Sequence, residues 1–205
     1  MEIGPGAFHL PRYITLENQC ALVREVRALI DGPVPAYVPV VRGGGTMHVR
    51  MLCLGRHWNA RTYAYEDLRS DIDGLPAPPL PPRLAALAAR TARDAGFAVA
   101  PDTCIVNWYT RTSRMGLHQD KDESPESIAA GAPVVSFSIG DTAKFLFGGL
   151  RRRDAVEKIV LESGDAFVFG GAARLHYHGV TGILAGTAPA GLPFEGRLNL
   201  TFRKF

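Results

Sequence analysis

The sequence predicts an α+β domain that is mainly β: a double-stranded β-helix, or jelly roll, with N-terminal helices packed on one sheet. Three observations carry this. The 205 residues include 22 glycines and 15 prolines, the turn formers that a chain of many short strands needs. After Pro101, short segments rich in Val, Ile, Phe, Thr and Tyr follow one another between Gly, Asp and Ser, with no helical spacing between them. Helical spacing is confined to the first hundred residues. Hydrophobic residues make up 46% of the chain, enough for one core, so residues 1–205 are expected to form a single domain.

Leu16, Cys20, Val23, Val26, Leu29 and Ile30 recur at helical spacing, with Thr15 before them and Gly32 after, which predicts a capped helix over 16–30. A second helix is expected from Pro82 to Ala95, with Leu84, Leu87, Ala88 and Thr91 on one face. The GLPAPPLPP run from Gly74 to Pro82 cannot hold a regular element and reads as a stiff connector. Strands are expected at Thr103–Tyr109, Val134–Ile139, Lys144–Phe147, Glu157–Leu161, Asp165–Phe169 and Leu198–Phe205. Residues 1–100 thus form an N-terminal extension, and residues 101–205 the jelly-roll core.

No apolar run approaches the roughly 20 residues that span a bilayer, and Met1–Thr15 lacks the basic-then-apolar layout of a signal peptide. Cys20, Cys53 and Cys104 are odd in number and form no CxxC knuckle, which suits reduced thiols in the cytoplasm. A net charge of +3 is compatible with a few phosphate contacts but does not select a partner.

The densest chemistry lies in Leu117–Glu123 (LHQDKDE). On a strand end, His118 and Asp120 are two apart and project to one side, so both can reach one metal ion. A histidine from another strand would complete a two-His-one-carboxylate set, the pattern of non-haem iron sites with open positions. The candidate is His178 in Arg174–Gly179 (RLHYHG), although His176 has the same parity and spacing alone does not choose between them. Arg197, Asn199 and Arg203 share one face of the last strand, opposite Leu198, Leu200 and Phe202, and can point into a barrel interior.

In order and spacing, NWYT from Asn107, LHQDKDE, PVVSFSIG from Pro133 and FGGLR from Phe147 resemble the bacterial AlkB family of alkylated nucleic-acid repair dioxygenases. LESGD from Leu161, RLHYHG and RLNLTFR from Arg197 continue the resemblance, which extends more loosely upstream through Gly44–Met47 and Trp58–Tyr65. It implies Fe(II) held by His118, Asp120 and His178, the last being the histidine before the glycine of the YHG segment. His176 then becomes a packing or supporting group.

The resemblance further places Asn107, Tyr109, Arg197, Asn199 and Arg203 around the co-substrate 2-oxoglutarate. Arg197, helped by Tyr109 and Asn107, would take the distal carboxylate, because a guanidinium fork matches a carboxylate at two points. Arg203 and Asn199 would serve the metal-bound end. Trp58 and the His118 ring would sandwich a base, Tyr63 and Tyr65 would complete a nucleotide-recognition lid within the N-terminal extension, and Asp122 would accept from an exocyclic amine. Arg152 matches a substrate position, with Arg151 and Arg153 as neighbours that could make the contact instead.

The implied activity is oxidative demethylation of N-alkylated bases such as 1-methyladenine and 3-methylcytosine, with 2-oxoglutarate and O2 giving succinate, CO2 and formaldehyde. Single-stranded DNA is the expected partner and RNA a second candidate, with no membrane and no obligate protein partner. The alternative is a 2-oxoglutarate-dependent hydroxylase or demethylase of a protein or small molecule, which would have no use for Trp58, Tyr63 and Asp122 in these roles.

Overall fold

The computed structural model describes all 205 residues, Met1 to Phe205. Seven strands form a major sheet in the order β1 (Glu2–Gly4), β2 (Ala7–Leu10), β11 (Ala166–Phe169), β8 (Val134–Gly140), β13 (Arg197–Arg203), β6 (Thr103–Tyr109), β3 (Arg50–Leu54). A minor sheet runs β10 (Glu157–Leu161), β9 (Thr142–Phe147), β12 (His178–Leu184), β7 (Met115–His118). A separate hairpin pairs β4 (His57–Asn59) with β5 (Ala64–Glu66). Neighbouring strands run antiparallel, as the Gly-rich connections allow.

The helices lie where their apolar stripes require. The first, α1 (Leu16–Ile30), starts at Thr15, whose hydroxyl accepts from the Asn18 N–H. It buries Leu22, Val23, Val26 and Ile30, and α2 (Pro82–Asp94) buries Leu84, Ala88 and Ala92. These side chains share one core with Val135, Phe137, Leu198, Leu200 and Phe202 on one face of the major sheet. Burying a Leu or Phe there contributes about 1.5–3 kcal/mol. The other face meets the minor sheet: Phe145 and Phe147 of β9 each meet the Phe167 ring edge-on at 5.1 Å. These rings belong to a second core between the two sheets.

The expected helix over 16–30 and the strands Thr103–Tyr109 and Glu157–Leu161 are found at those bounds. The last strand runs Arg197–Arg203, not 198–205, because Asp102 accepts from the Phe205 N–H and pairs with Lys204, which draws the tail off the sheet. Residues before 100 also supply sheet: β2 pairs with β11 and β3 with β6, so both edges of the major sheet come from the first hundred residues. No helix is long and apolar enough to cross a membrane.

Candidate active site

The two strands carrying His118 and His178 are neighbours in the minor sheet. β7 ends at His118, β12 begins at His178, and the two residues are directly paired. The pairing needs glycine next door: a Cβ on Gly179 would lie 2.7 Å from the Met115 carbonyl oxygen, so no side chain fits between the strands. Asp120 sits two residues past the end of β7. The possible ligand atoms of His118, Asp120 and His178 all lie within 4.8 Å of one another. His118 Nε2 is 3.7 Å from Asp120 Oδ1, and His178 Nε2 is 3.7 Å from Asp120 Oδ2.

Backbone carbonyls choose the tautomers. His118 Nδ1–H donates to the Gly116 carbonyl at 2.9 Å, and His178 Nδ1–H to the His176 carbonyl at 3.0 Å. A carbonyl can only accept, so each ring carries its proton on Nδ1 and presents a bare Nε2 to the centre. Burial and the neighbouring His118 push the His178 imidazole down to about 4, which keeps it neutral. Burial opposes ionisation of Asp120, but Arg203, then His178 and His118, outweigh it and hold the carboxyl well below its usual range. Two imidazoles and a carboxylate form a donor set suited to Fe(II).

The residues expected around the co-substrate extend from this cluster along β6 and β13. Arg197 is 1% exposed. Its Nη2 donates to Ser138 Oγ at 2.9 Å, while Nε and Nη1 have no partner. The guanidinium lies 5.2 Å over the Tyr109 ring, and burial lowers its proton affinity to about 10. A buried, half-partnered guanidinium costs free energy unless an anion reaches it. Asn107 Oδ1 is also buried without a partner.

Asn199 and Arg203 are already engaged. The Asn199 amide donates to Ser136 Oγ and the Phe137 carbonyl, and its Oδ1 accepts from Thr201. Arg203 forks onto Asp120 Oδ2 through Nε at 3.0 Å and Nη2 at 2.7 Å, leaving only Nη1 without a partner.

One cavity of about 380 Å³ joins the metal cluster to the lid. Asn107, Tyr109, Asn199 and Arg203 line its inner part, and Trp58, Tyr63, Tyr65, Asp122 and Arg152 its outer part. Arg197 does not line it directly; Tyr109 stands before it. Trp58 and Tyr65 face each other across the β4–β5 hairpin, and Tyr63 occupies its turn with φ +57°. The Trp58 and Tyr63 rings meet edge-on at 6.0 Å. Beneath them, His57 Nε2–H donates to Asp71 at 2.6 Å, anchoring the hairpin.

The three consecutive arginines separate cleanly. Arg151 binds Asp154 in its own turn, whereas Arg152 lines the cavity and donates to the Leu117 carbonyl at 2.7 Å. Arg56, two residues before Trp58, pairs with Asp67 and lies over the Phe205 ring. Two residues the sequence reading left without roles, Glu123 and Arg174, form a buried ion pair at 2.8 Å behind Asp120. Both lie inside quoted segments, LHQDKDE and RLHYHG, but nothing in either segment says that they meet.

Residues 6–203 match the family described as the 2OG-Fe(II) oxygenase superfamily. The chain is 39% identical to the alpha-ketoglutarate-dependent dioxygenase AlkB of Salmonella typhimurium, a match covering 98% of this chain and 91% of that protein. It is 41% identical to the DNA N(6)-methyladenine demethylase ALKBH1C of Arabidopsis thaliana over 99% of this chain, and spans about half the length of that relative, 49%. The solved structure of OsALKBH1 superposes with a TM-score of 0.93 at 36% identity, covering 100% of this chain and 99% of that one. The chain therefore belongs to the AlkB-type 2OG-Fe(II) oxygenases, whose cofactor and co-substrate are Fe(II) and 2-oxoglutarate.

Proposed function

We propose that the protein is an oxidative dealkylase of nucleic-acid bases, acting on single-stranded DNA, with RNA as a second substrate. The observation that carries this reading is a single cavity lined at one end by the His–Asp–His cluster and at the other by Trp58, Tyr63 and Asp122. Flat aromatic surfaces beside a carboxylate suit a base, whose faces stack on the rings while its amine donates to the acid. The AlkB of Salmonella is named a dioxygenase and the Arabidopsis relative a DNA demethylase, which supports the same reading.

His118, Asp120 and His178 would hold Fe(II). Bound with 2-oxoglutarate and O2, the ion supplies the oxidant that hydroxylates an N-alkyl carbon, with succinate, CO2 and finally formaldehyde as products. The protein's own residues position the reactants. Arg197 would take the distal carboxylate, with Tyr109 and Asn107 beside it, and the spare Nη1 of Arg203 and the Asn199 side chain would border the metal-bound end.

A base must leave its stack to reach this depth. Trp58 and the His118 ring would receive it, with Tyr63 and Tyr65 closing the lid. Asp122 would accept from its exocyclic amine and offset the positive charge of 1-methyladenine or 3-methylcytosine. Arg152 would hold a phosphate at the mouth. Residues 1–100 thereby supply the lid to a catalytic core formed by 101–205. The three free cysteines suit a reducing compartment, and we place this work in the cytoplasm, without an obligate protein partner.

The test is incubation with Fe(II), ascorbate and 2-oxoglutarate, offering methylated single-stranded DNA, RNA and a methylated peptide panel. The DNA arm carries 1-methyladenine, 3-methylcytosine or N6-methyladenine. Formaldehyde released in step with succinate, and only with oligonucleotide, is the expected result. Turnover of peptide alone would move the assignment to a protein demethylase.

A further inference from the structure

Glu123 and Arg174 have no part in the chemistry above, yet both are almost completely buried beside it, with side chains 2% and 3% exposed. Arg174 Nη2 donates to Glu123 Oε2 at 2.8 Å, and its Nη1 donates to the main-chain carbonyl of Asp120. Glu123 Oε1 lies 3.1 Å from Arg203 Nε and accepts from the Tyr65 hydroxyl at 3.5 Å. Arg203 Nε is thereby shared between Glu123 and Asp120 Oδ2, where Nη2 also donates. Two guanidiniums and two carboxylates alternate in one buried network, and their formal charges cancel. Asp120 is gripped twice, at its main chain by Arg174 and at its carboxylate by Arg203.

This arrangement has an electrostatic consequence. A guanidinium on a carboxylate competes with a cation for the same negative charge. Here Glu123 takes part of Arg203's charge, so Asp120 is held in place without being fully neutralised. Glutamine at position 123 would have nearly the same shape but no charge. The network would then carry a net positive charge, and Arg203 would fall wholly on Asp120, opposing a second cation there.

We propose that Glu123, acting through Arg174 and Arg203, is a positioning residue for Asp120 that keeps its carboxylate placed and available to a divalent cation. The proposal rests on the metal-site reading above. It also separates the neighbouring acids: both line the cavity, but Asp122 accepts from the Trp58 indole of the hairpin, whereas both oxygens of Glu123 are taken by Arg174, Arg203 and Tyr65.

The test uses Mn(II), which needs no turnover, titrated by calorimetry into the full chain with 2-oxoglutarate present. Glu123→Gln should weaken Mn(II) binding on the order of 10–100-fold, the usual loss when a ligand's supporting partner is removed. Glu123→Asp, which keeps the charge on a shorter arm, should recover part of it. At saturating metal, the 2-oxoglutarate requirement should stay close to wild type. Near-UV circular dichroism checks that each variant is folded at the titration temperature.

Mn(II) affinity of Glu123→Gln indistinguishable from wild type overturns the proposal. So does loss of fold in both Glu123→Gln and Glu123→Asp, which would make the role structural. His178→Ala in the same assay separates the two readings. Binding that survives it defeats the metal site itself, whereas binding that vanishes there but persists unchanged in Glu123→Gln defeats only the role of Glu123.

Discussion

The indole N–H of Trp58 donates to Asp122 Oδ2 at 2.8 Å, tying the β4–β5 hairpin to the loop behind His118. Trp58 and Asp122, expected to act separately on a base, form one unit. The bond restrains the plane of the indole, and both side chains line the cavity. A flat surface and a hydrogen-bond acceptor are thus set in a fixed relation before any substrate arrives, which reduces the ordering cost of binding.

Trp58→Ala should therefore weaken capture of a methylated oligonucleotide by about 1–3 kcal/mol while sparing 2-oxoglutarate decarboxylation in its absence. Trp58→Phe should recover only part of the loss, since phenylalanine keeps a π-face but has no N–H for Asp122. Fluorescence anisotropy for binding, with formaldehyde and succinate counted separately, distinguishes these outcomes. An equal fall of both activities would mean that Trp58 supports the fold and not the substrate.

His118→Ala, Asp120→Ala and His178→Ala should each abolish turnover and metal binding, whereas His176→Phe should keep most of both. What His176 offers His178 is its main-chain carbonyl, which any residue supplies, while its ring packs 5.4 Å from Phe147. Retained metal affinity in His178→Ala together with its loss in His176→Phe would reverse the choice of histidine.

Arg197→Met should raise the 2-oxoglutarate requirement at least about 30-fold, since removing one partner of a buried charge pair costs 2 kcal/mol or more. Without co-substrate the same variant should melt no lower than wild type, because the substitution removes a charge with two unpartnered nitrogens. Co-substrate dependence that does not move would take Arg197 out of that role.

The pH dependence of stability follows from His178. Its imidazole titrates at about 4 in the folded protein and near 6.5 when unfolded. Between those values the unfolded chain binds the extra proton, so metal-free stability is full above about pH 6.5 and falls as pH drops towards 4. The loss is of order 3 kcal/mol from this group, and His178→Ala should flatten that part of a melting-temperature profile against pH. A profile as steep in the variant as in the wild type would place the cause elsewhere.

Strong periodicity made α1 and β13 legible. In β13, polar and apolar residues alternate without a break over seven positions, and both their placement and their facing follow from that pattern. The strands carrying the two histidines were not legible as strands. β7 is four residues long and includes Gly116, while β12 is interrupted by Gly179 and Gly182 and carries register shifts that break the alternation. The three-residue strands β1, β4 and β5 are too short to show any period.

At the site, ligand types and the resemblance singled out residues that line the cavity, Arg197 excepted. The Glu123–Arg174 pair spans 51 positions and joins two turns, so only the folded chain reveals it. The contacts of Arg203 show the same limit: its side was readable, but its fork onto Asp120 was not.

β13 lies between β8 and β6, with Leu198, Leu200 and Phe202 in the helix-side core and Arg197, Asn199, Thr201 and Arg203 turned inward. Saturation mutagenesis should accordingly show seven consecutive intolerant positions, failing for alternating reasons: abundance at the even numbers, activity in well-expressed protein at the odd ones. The partly exposed edge strand β10, where Val160 is 53% exposed, should tolerate change at every second site. Because folding and chemistry occupy the same seven residues, new substrate preferences can arise only slowly there, and the lid hairpin is the segment free to diversify.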